Sequence, residues 1–396
     1  MASVGCGACI VTSLVSAPVE RPRSVDDVRA FMHETVSRDE SVRISGAGTW
    51  RDAGPPIDAA RTLSLASLSG IIAYVPGDLT ITAYAGTTLS ELSHATAAHG
   101  QWLGLDPAGV RDGTIGATIA TASSGPLSHA FGTPRDLVLG LDAVTGYGDV
   151  VRAGGRVVKN VAGFDLVRLY TGSWGTLGAI TSLTMRLRAL PVHDITLTLA
   201  IDDAAHFRTL LLALRRDVVS LLACEWIDGA TAQAFGIGDG RDVFLLRLGG
   251  NHAFIRGQRA VLDAVGSSRE CDAIVWARIA MLDRDATAVV RVSGAVSALS
   301  ERITRIRTAL SAGGCRDVAL HGSVHRGLVR IVGADDVSQA LSVMHHVEPN
   351  EQRITERAPA AWWAVEPDPF SGALEGRIRD AFDPKHLCNR RQATRG

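Results

Sequence analysis

Apolar positions along the chain show two textures. As far as Pro191, short apolar runs are separated by glycines; from Thr196 on, longer strand-like runs alternate with helical stretches. The first periodic segment is 22–38, where Val25, Val28, Phe31, Met32 and Val36 fall on one helical face. Ser24 is the expected N-cap, and Asp26 and Asp27 suit the first turn of a helix dipole. SVRISGAGTW then reads as a short strand entering a glycine turn at Gly46 to Thr49, and Pro55-Pro56 marks a loop. Leu63, Leu65 and Leu68 open another apolar segment. Residues 71–86 alternate at period two on either side of Pro76-Gly77-Asp78, which predicts paired strands. Residues 88–99 predict a helix with Leu89, Leu92 and Ala95 on one face and Gly100 just past its end.

In the second texture, ITLTLAI, LLACEWI, DVFLLRLGG, ATAVVRVSG and GLVRIVG predict strands. Residues 204–216, 252–265 and 296–312 predict helices between them, and 377–382 a short last one. Such alternation without glycine-rich turns suggests a compact α+β unit.

Three glycine turns carry the candidate chemistry. Gly46-Ala47-Gly48-Thr49 follows a strand directly, and consecutive N–H groups in such a turn form a small anion nest; a plain tight turn is the alternative. Asp112-Gly113-Thr114-Ile115-Gly116-Ala117 leads into a run of Ala, Thr, Ser and Gly. That run lets an extended ligand lie on bare backbone, or lets helices pack closely. Gly172-Ser173-Trp174-Gly175-Thr176-Leu177-Gly178 superficially matches a Rossmann fingerprint. However, Thr181, Leu183, Met185 and Leu187 alternate after it, so a strand follows where a Rossmann unit has a helix. The stretch from Gly100 to Pro191 thus suits a large anionic dinucleotide such as FAD.

Length and composition narrow the reading. A chain of 396 residues suggests two domains. A net charge of -1 gives no support for a nucleic-acid partner. Lysine occurs only at Lys159 and Lys385, so Lys159, with Asn160, Asp165 and Arg135-Asp136, stands out as a polar group near the glycine-rich turns. The six cysteines are scattered, which argues for a reducing compartment; Cys6 and Cys9 form a lone terminal C-x-x-C. The first residues lack the basic start of a signal peptide, and no apolar run is long enough to span a membrane.

Taken in order, the motifs resemble the FAD-binding domain of the p-cresol methylhydroxylase/vanillyl-alcohol oxidase (PCMH-type) superfamily. YVPGDLTITAYAGTTLSEL matches its strand-strand-helix segment, GTIGATIATASSG its second segment, and GSWGTLGAITSLTMRLRALP its closing signature. TPRDLVLG and VKNVAGFDLVRLYTGSWGTLG are most similar to the E subunit of bacterial glycolate oxidase, and FDPKHLCN resembles the C-terminal motif that returns to the flavin domain. The resemblance implies an α+β fold: a two-part FAD-binding PCMH-type domain at 18–191, an α+β cap at 192–370, and a returning segment at 371–396. It implies that Gly46, Ala47, Gly48 and Thr49 cradle the pyrophosphate of FAD. Thr114, Gly116, Ala117 and Thr121 would continue that contact, with Gly178 and Ile180 at the ribityl or adenine side. Many relatives carry a flavin-linking His in the first turn; here it ends Thr49-Trp50, so non-covalent FAD is expected. Asn389-Arg390-Arg391 stands where the family has Asn-Pro-Gly. No metal is expected: the metal-binding run of the catalytic D-2-hydroxyacid dehydrogenases is reduced to His321-Gly-Ser-Val-His325, and His345-His346 do not replace it.

The function this implies is the FAD-binding subunit of a glycolate-oxidase-like complex, working with a catalytic flavoprotein subunit and an iron–sulfur subunit on a small hydroxy acid. Its expected place is cytoplasmic, with partners able to hold it at the inner membrane. A stand-alone FAD oxidase or dehydrogenase would need a base, for which His129, His321 and His325 are candidates. A non-catalytic module that has lost FAD is the third reading.

Overall fold

The computed structural model describes residues 17–50, 53–109, 111–155, 165–215, 219–333, 350–359, 362–363 and 372–391. Cys6, Cys9, Lys159, Asn160 and the His345-His346 pair lie outside these. The predicted first helix forms over Val25–Arg38, closed by a reciprocal capping box between Ser24 and Asp27, and it buries Val28, Phe31 and Met32. Strand Val42–Ser45 runs parallel to Arg61–Ser64, which also pairs with Val19–Glu20, giving a small parallel sheet that ends at the Gly46 turn.

A five-stranded antiparallel sheet stands beside it, in the order Ile71–Val75, Thr80–Tyr84, Gly178–Arg186, Val138–Thr145, Val150–Gly154. The break at Pro76–Asp78 is a single 3-10 turn, as the sequence suggests. Strand Gly178–Arg186 is the middle of this sheet and is buried from Gly178 to Met185, so both of its faces are covered. That the third glycine turn feeds a strand and not a helix excludes a Rossmann unit. One core joins the two sheets, from Val28 and Met32 through Leu63, Ile81 and Leu92 to Leu183 and Met185. Cys388 belongs to that core, and Ile378 and Phe382 of the last helix pack on it. That helix spans Ala373–Phe382 and begins four residues before the sequence suggested.

An eight-stranded antiparallel sheet holds the second core. Its central strands are Asp242–Gly250, Ala223–Ile227, Val318–Ser323, Leu328–Gly333 and Ala288–Ser293. Period-two alternation divides the faces. Cys224, Trp226, Phe244, Leu246, Val290, Val292, Val329 and Ile331 pack into the core with helices Ala204–Arg215 and Leu299–Ala312. The alternate positions Glu225, Arg247, Arg291, His321 and Arg330 therefore take the other face. Helix Ile274–Asp285 and strand Val318–Ser323 were not foreseen. The helix has no side-chain N-cap, and the strand carries a His, a Gly and a Ser among its six residues. Among the described residues, no helix is long and apolar enough to cross a membrane.

Candidate nucleotide cleft

The three glycine turns meet at one cleft. It encloses about 1060 Å³ of non-protein space, part of it continuous with solvent. Gly46, Gly48, Thr49, Thr114, Gly116, Ala117, Thr121, Gly178 and Ile180 all line it. Ala47 lies in the same first turn but is exposed and does not form part of the wall. The convergence depends on missing Cβ atoms. A Cβ on Gly46 would sit 2.0 Å from Thr114 Oγ1, and one on Gly116 would sit 2.6 Å from the Ala85 Cβ. Gly178 has a φ of 125°, and a Cβ there would lie 2.2 Å from the Val144 carbonyl oxygen.

The turns offer different chemistry. Among the described residues, none of the N–H groups of Gly46, Ala47, Gly48 and Thr49 has a hydrogen-bond acceptor. Four consecutive donors at a strand end are an anion nest awaiting its ligand. The second segment differs from expectation in this respect. It forms a short helix, Ile115–Ala120, capped by the Thr114 side chain, and the Gly116 N–H is spent on the Ala85 carbonyl at 2.8 Å. Thr121 Oγ1 donates to the Ala117 carbonyl at 2.8 Å. This segment therefore offers a low, small-residue surface more than free amides. On one side of this helix Ile115 and Ile119 pack into the core, and on the other Ala117, Ala120 and Thr121 line the cleft.

Trp174 closes a third side. It holds a left-handed φ of 54°, donates its N–H to Ala120 O at 2.8 Å, and lies so near Gly54 that a Cβ there would be 2.8 Å from its ring. Asn389 comes from the far end of the chain to complete the wall. Its Oδ1 accepts from Ile44 N at 2.7 Å, and its Nδ2 donates to Trp174 O at 2.5 Å. Among the described residues, Arg43 and Arg391 are the charged members of the lining, and no Asp or Glu belongs to it. Such a lining suits a dianionic diphosphate and would repel none of its charge. Asn389 and the two arginines are wall residues that the candidate set omitted; the Asn-Arg-Arg in place of Asn-Pro-Gly was the available signal.

Other polar candidates have structural partners. Asp136 caps helix Pro134–Leu137 through Thr133, and Asp165 caps Leu166–Tyr170 by accepting from Arg168 N. His321 is enclosed on the polar face of the large sheet, its Nε2 2.7 Å from Asp283 and its Nδ1 3.7 Å from Glu225. Burial alone would lower its pKa; the Asp283 and Glu225 carboxylates outweigh that and hold it at about 9. His321 is therefore a cation with no lone pair to offer as a base. Among the described residues, no group of three or more His, Cys, Asp or Glu could hold a metal ion.

Residues 16–154 match the family profile for an FAD binding domain. The chain carries an FAD-binding domain. Over 167 residues it is 35% identical to the glycolate oxidase subunit GlcE of Escherichia coli strain K12, covering 42% of this chain and 47% of that one. Over 179 residues it is 32% identical to the glycolate oxidase subunit GlcD of Bacillus subtilis strain 168, covering 44% and 38%. The matched stretch thus spans less than half the length of these relatives. Among solved structures, 4-ethylphenol oxidase from Gulosibacter chungangensis superposes with a TM-score of 0.69 over 94% of this chain and 88% of that one, at 14% identity. An alkyldihydroxyacetonephosphate synthase superposes at 0.70, over 94% and 76%, at 15% identity. These likenesses extend the fold shared with the FAD-binding domain over nearly the whole chain. The cleft of the FAD-binding domain fits the cofactor by its own geometry: a donor nest, glycines that no side chain can replace, and an acid-free wall.

Proposed function

We propose that the chain is the FAD-binding subunit of a glycolate-oxidase-like oxidoreductase complex acting on a 2-hydroxy acid. The observation that carries the reading is the run of unspent amides at Gly46–Thr49, of which Gly46, Gly48 and Thr49 line a cleft with no carboxylate among its described residues. In this reading those amides hold the diphosphate. The small surfaces of Thr114, Gly116, Ala117 and Thr121 let the cofactor lie against the helix, and Gly178 and Ile180 bound its far side. Bound FAD supplies the two-electron redox step. The protein contributes position, exclusion of water and a charge-matched wall. Among the described residues, no His, Cys or Tyr lines the cleft, which supports non-covalent attachment. The names of the E. coli and B. subtilis relatives, each a glycolate oxidase subunit, support a place in a multi-subunit assembly. In this reading its partners would be a catalytic flavoprotein subunit and an iron–sulfur subunit. The assembly would be cytoplasmic and reach the inner membrane only through those partners.

Purification of the native protein, with flavin and iron assayed together, tests this. FAD released by acid precipitation, with iron and two further chains co-eluting, is the expected result. Protein lacking a flavin absorbance band after FAD is added would sink the reading.

A further inference from the structure

Arginines on the large sheet and on the helix packed against it come with carboxylates. Arg302 pairs with Glu351 at 2.7 Å, Arg247 with Asp194 at 2.6 Å, and Arg307 with Asp242 at 2.6 Å. Arg330 and Arg291 share Glu356, at 3.1 and 3.4 Å. Arg326 breaks the pattern. It is half-buried and makes no ion pair with a described carboxylate. Its Nη1 donates only to the Ser124 hydroxyl, at 2.8 Å, across the junction between the two cores. A guanidinium drawn out of water without a counter-charge is costly unless a ligand supplies one. Burial, with Arg291 and Arg330 nearby, lowers its pKa, and the Glu356 and Glu225 carboxylates, neither in contact with it, offset this only in part.

Two further observations locate this site. Ser123, next to Ser124, lines a small pocket that continues the FAD cleft past Thr49 and Trp50. The loop containing both serines leads into helix Ser128–Phe131, which places His129 edge-to-face on His325 at 5.0 Å, and His325 adjoins Arg326 in sequence. His129 Nδ1 is buried and has no hydrogen-bond partner. The cation, through Ser124, and the unpartnered imidazole nitrogen, through the His129–His325 contact, are thereby tied to the segment whose Ser123 lines the end of the cleft system. Resting on the function proposed above, we propose that Arg326, Ser124 and His129 form a subsite for a small 2-hydroxy carboxylate. Arg326 takes the carboxylate, and the hydroxyl donates to His129 Nδ1. Burial lowers the pKa of His129, so it is a neutral acceptor near neutral pH. His325 is lowered further, to about 4, mainly by burial and then by His129, so the ring beside it is neutral as well.

The probes are 2-hydroxyisobutyrate, which has no hydrogen on C2 and cannot be oxidised by hydride loss, and its hydroxyl-free analogue isobutyrate. Both are titrated into the flavin-loaded protein by calorimetry, with flavin content measured separately. The wild type should bind the hydroxy acid roughly 3- to 10-fold more tightly, the scale of one neutral hydrogen bond. Arg326→Gln should weaken both acids by roughly 10- to 100-fold, as for a charged hydrogen bond. His129→Leu should erase the difference between them. Equal affinities in the wild type, or wild-type affinity in a flavin-loaded Arg326→Gln, would overturn the subsite. If Arg326→Gln does not fold, the wild-type comparison and His129→Leu still decide. A flavin-free preparation that discriminates the acids supports the subsite and removes the function proposed above; a flavin-loaded one that does not discriminate removes the subsite alone.

Discussion

Asn389 offers the sharpest test of how the cleft is held together. It is 7% exposed, and its side chain joins strand Val42–Ser45 to the Trp174 turn. Asn389→Ala leaves the Ile44 N–H and the Trp174 carbonyl without partners. At about 1–3 kcal/mol for each unsatisfied buried group, the loss is roughly 2–6 kcal/mol. A second cost is conformational. Asn389 has a φ of 42°, in the left-handed region that Asn tolerates and Ala does not, which adds about 1 kcal/mol. Asn389→Gly removes the same hydrogen bonds without that cost, so it should be about 1 kcal/mol more stable than Asn389→Ala. Urea unfolding separates the two, and a fluorescence titration with FAD reads the cleft. Both variants should bind FAD at least roughly tenfold more weakly, because about 1.4 kcal/mol of wall order suffices for that. Wild-type stability in Asn389→Ala, or equal stability of the two variants, would refute the accounting.

Other expectations follow from the same geometry. Gly46→Ala drives a Cβ into Thr114 Oγ1, so the protein should purify with little flavin; a normal flavin-to-protein ratio would show that the turn is not held against Thr114. His321 has a folded pKa of about 9 against about 6.5 unfolded, so its stabilisation is full below 6.5 and is lost as pH rises towards 9. The wild-type melting temperature should fall across that window. His321→Gln should be less stable at pH 6, by at most about 3–5 kcal/mol, since Asp283 loses its hydrogen-bonded partner and keeps only Arg330 at 3.6 Å, and should lack that fall. Asp106 acts with the same sign in a lower pH window. Burial pushes its carboxyl up to about 7, against the pull of the Leu127 N–H and of Arg247. The folded chain then holds a proton that the unfolded chain has lost, so stability falls as pH rises from about 4 to 7. Asp106→Asn should flatten that limb in thermal melts; an unchanged slope would place the titration elsewhere.

Much of the first core was legible because its signals are local. Ser24 with Asp27, and Thr88 with Glu91, are capping boxes written within four residues, and both helices form where they predict. The glycine turns were legible as candidates because glycine at a strand end has few other uses. Their convergence was not, since nothing local says that Gly46 lies against Thr114. The second segment shows the limit in another way. Its small residues marked a close approach, but that the Gly116 amide is consumed by Ala85 depends on a strand thirty residues away. On the large sheet, alternation predicted strands but gave no meaning to the polar partners in each pair. His321, Arg330 and Arg291 become one buried row only when three strands align in register, His321 opposite Arg330 and Arg330 opposite Arg291. The candidate histidines could not be ranked before that, because the carboxylate that disqualifies His321 comes from a helix the sequence did not reveal.

The wall built by Asn389 joins residues 345 positions apart in the chain, and Cys388 bridges in parallel to Val42 beside it. During synthesis the donor nest emerges well before the residue that fastens its neighbouring wall. Cofactor capture is thereby coupled to translation of the segment around Asn389. A nascent chain halted before Asp383 should emerge colourless however much FAD surrounds it.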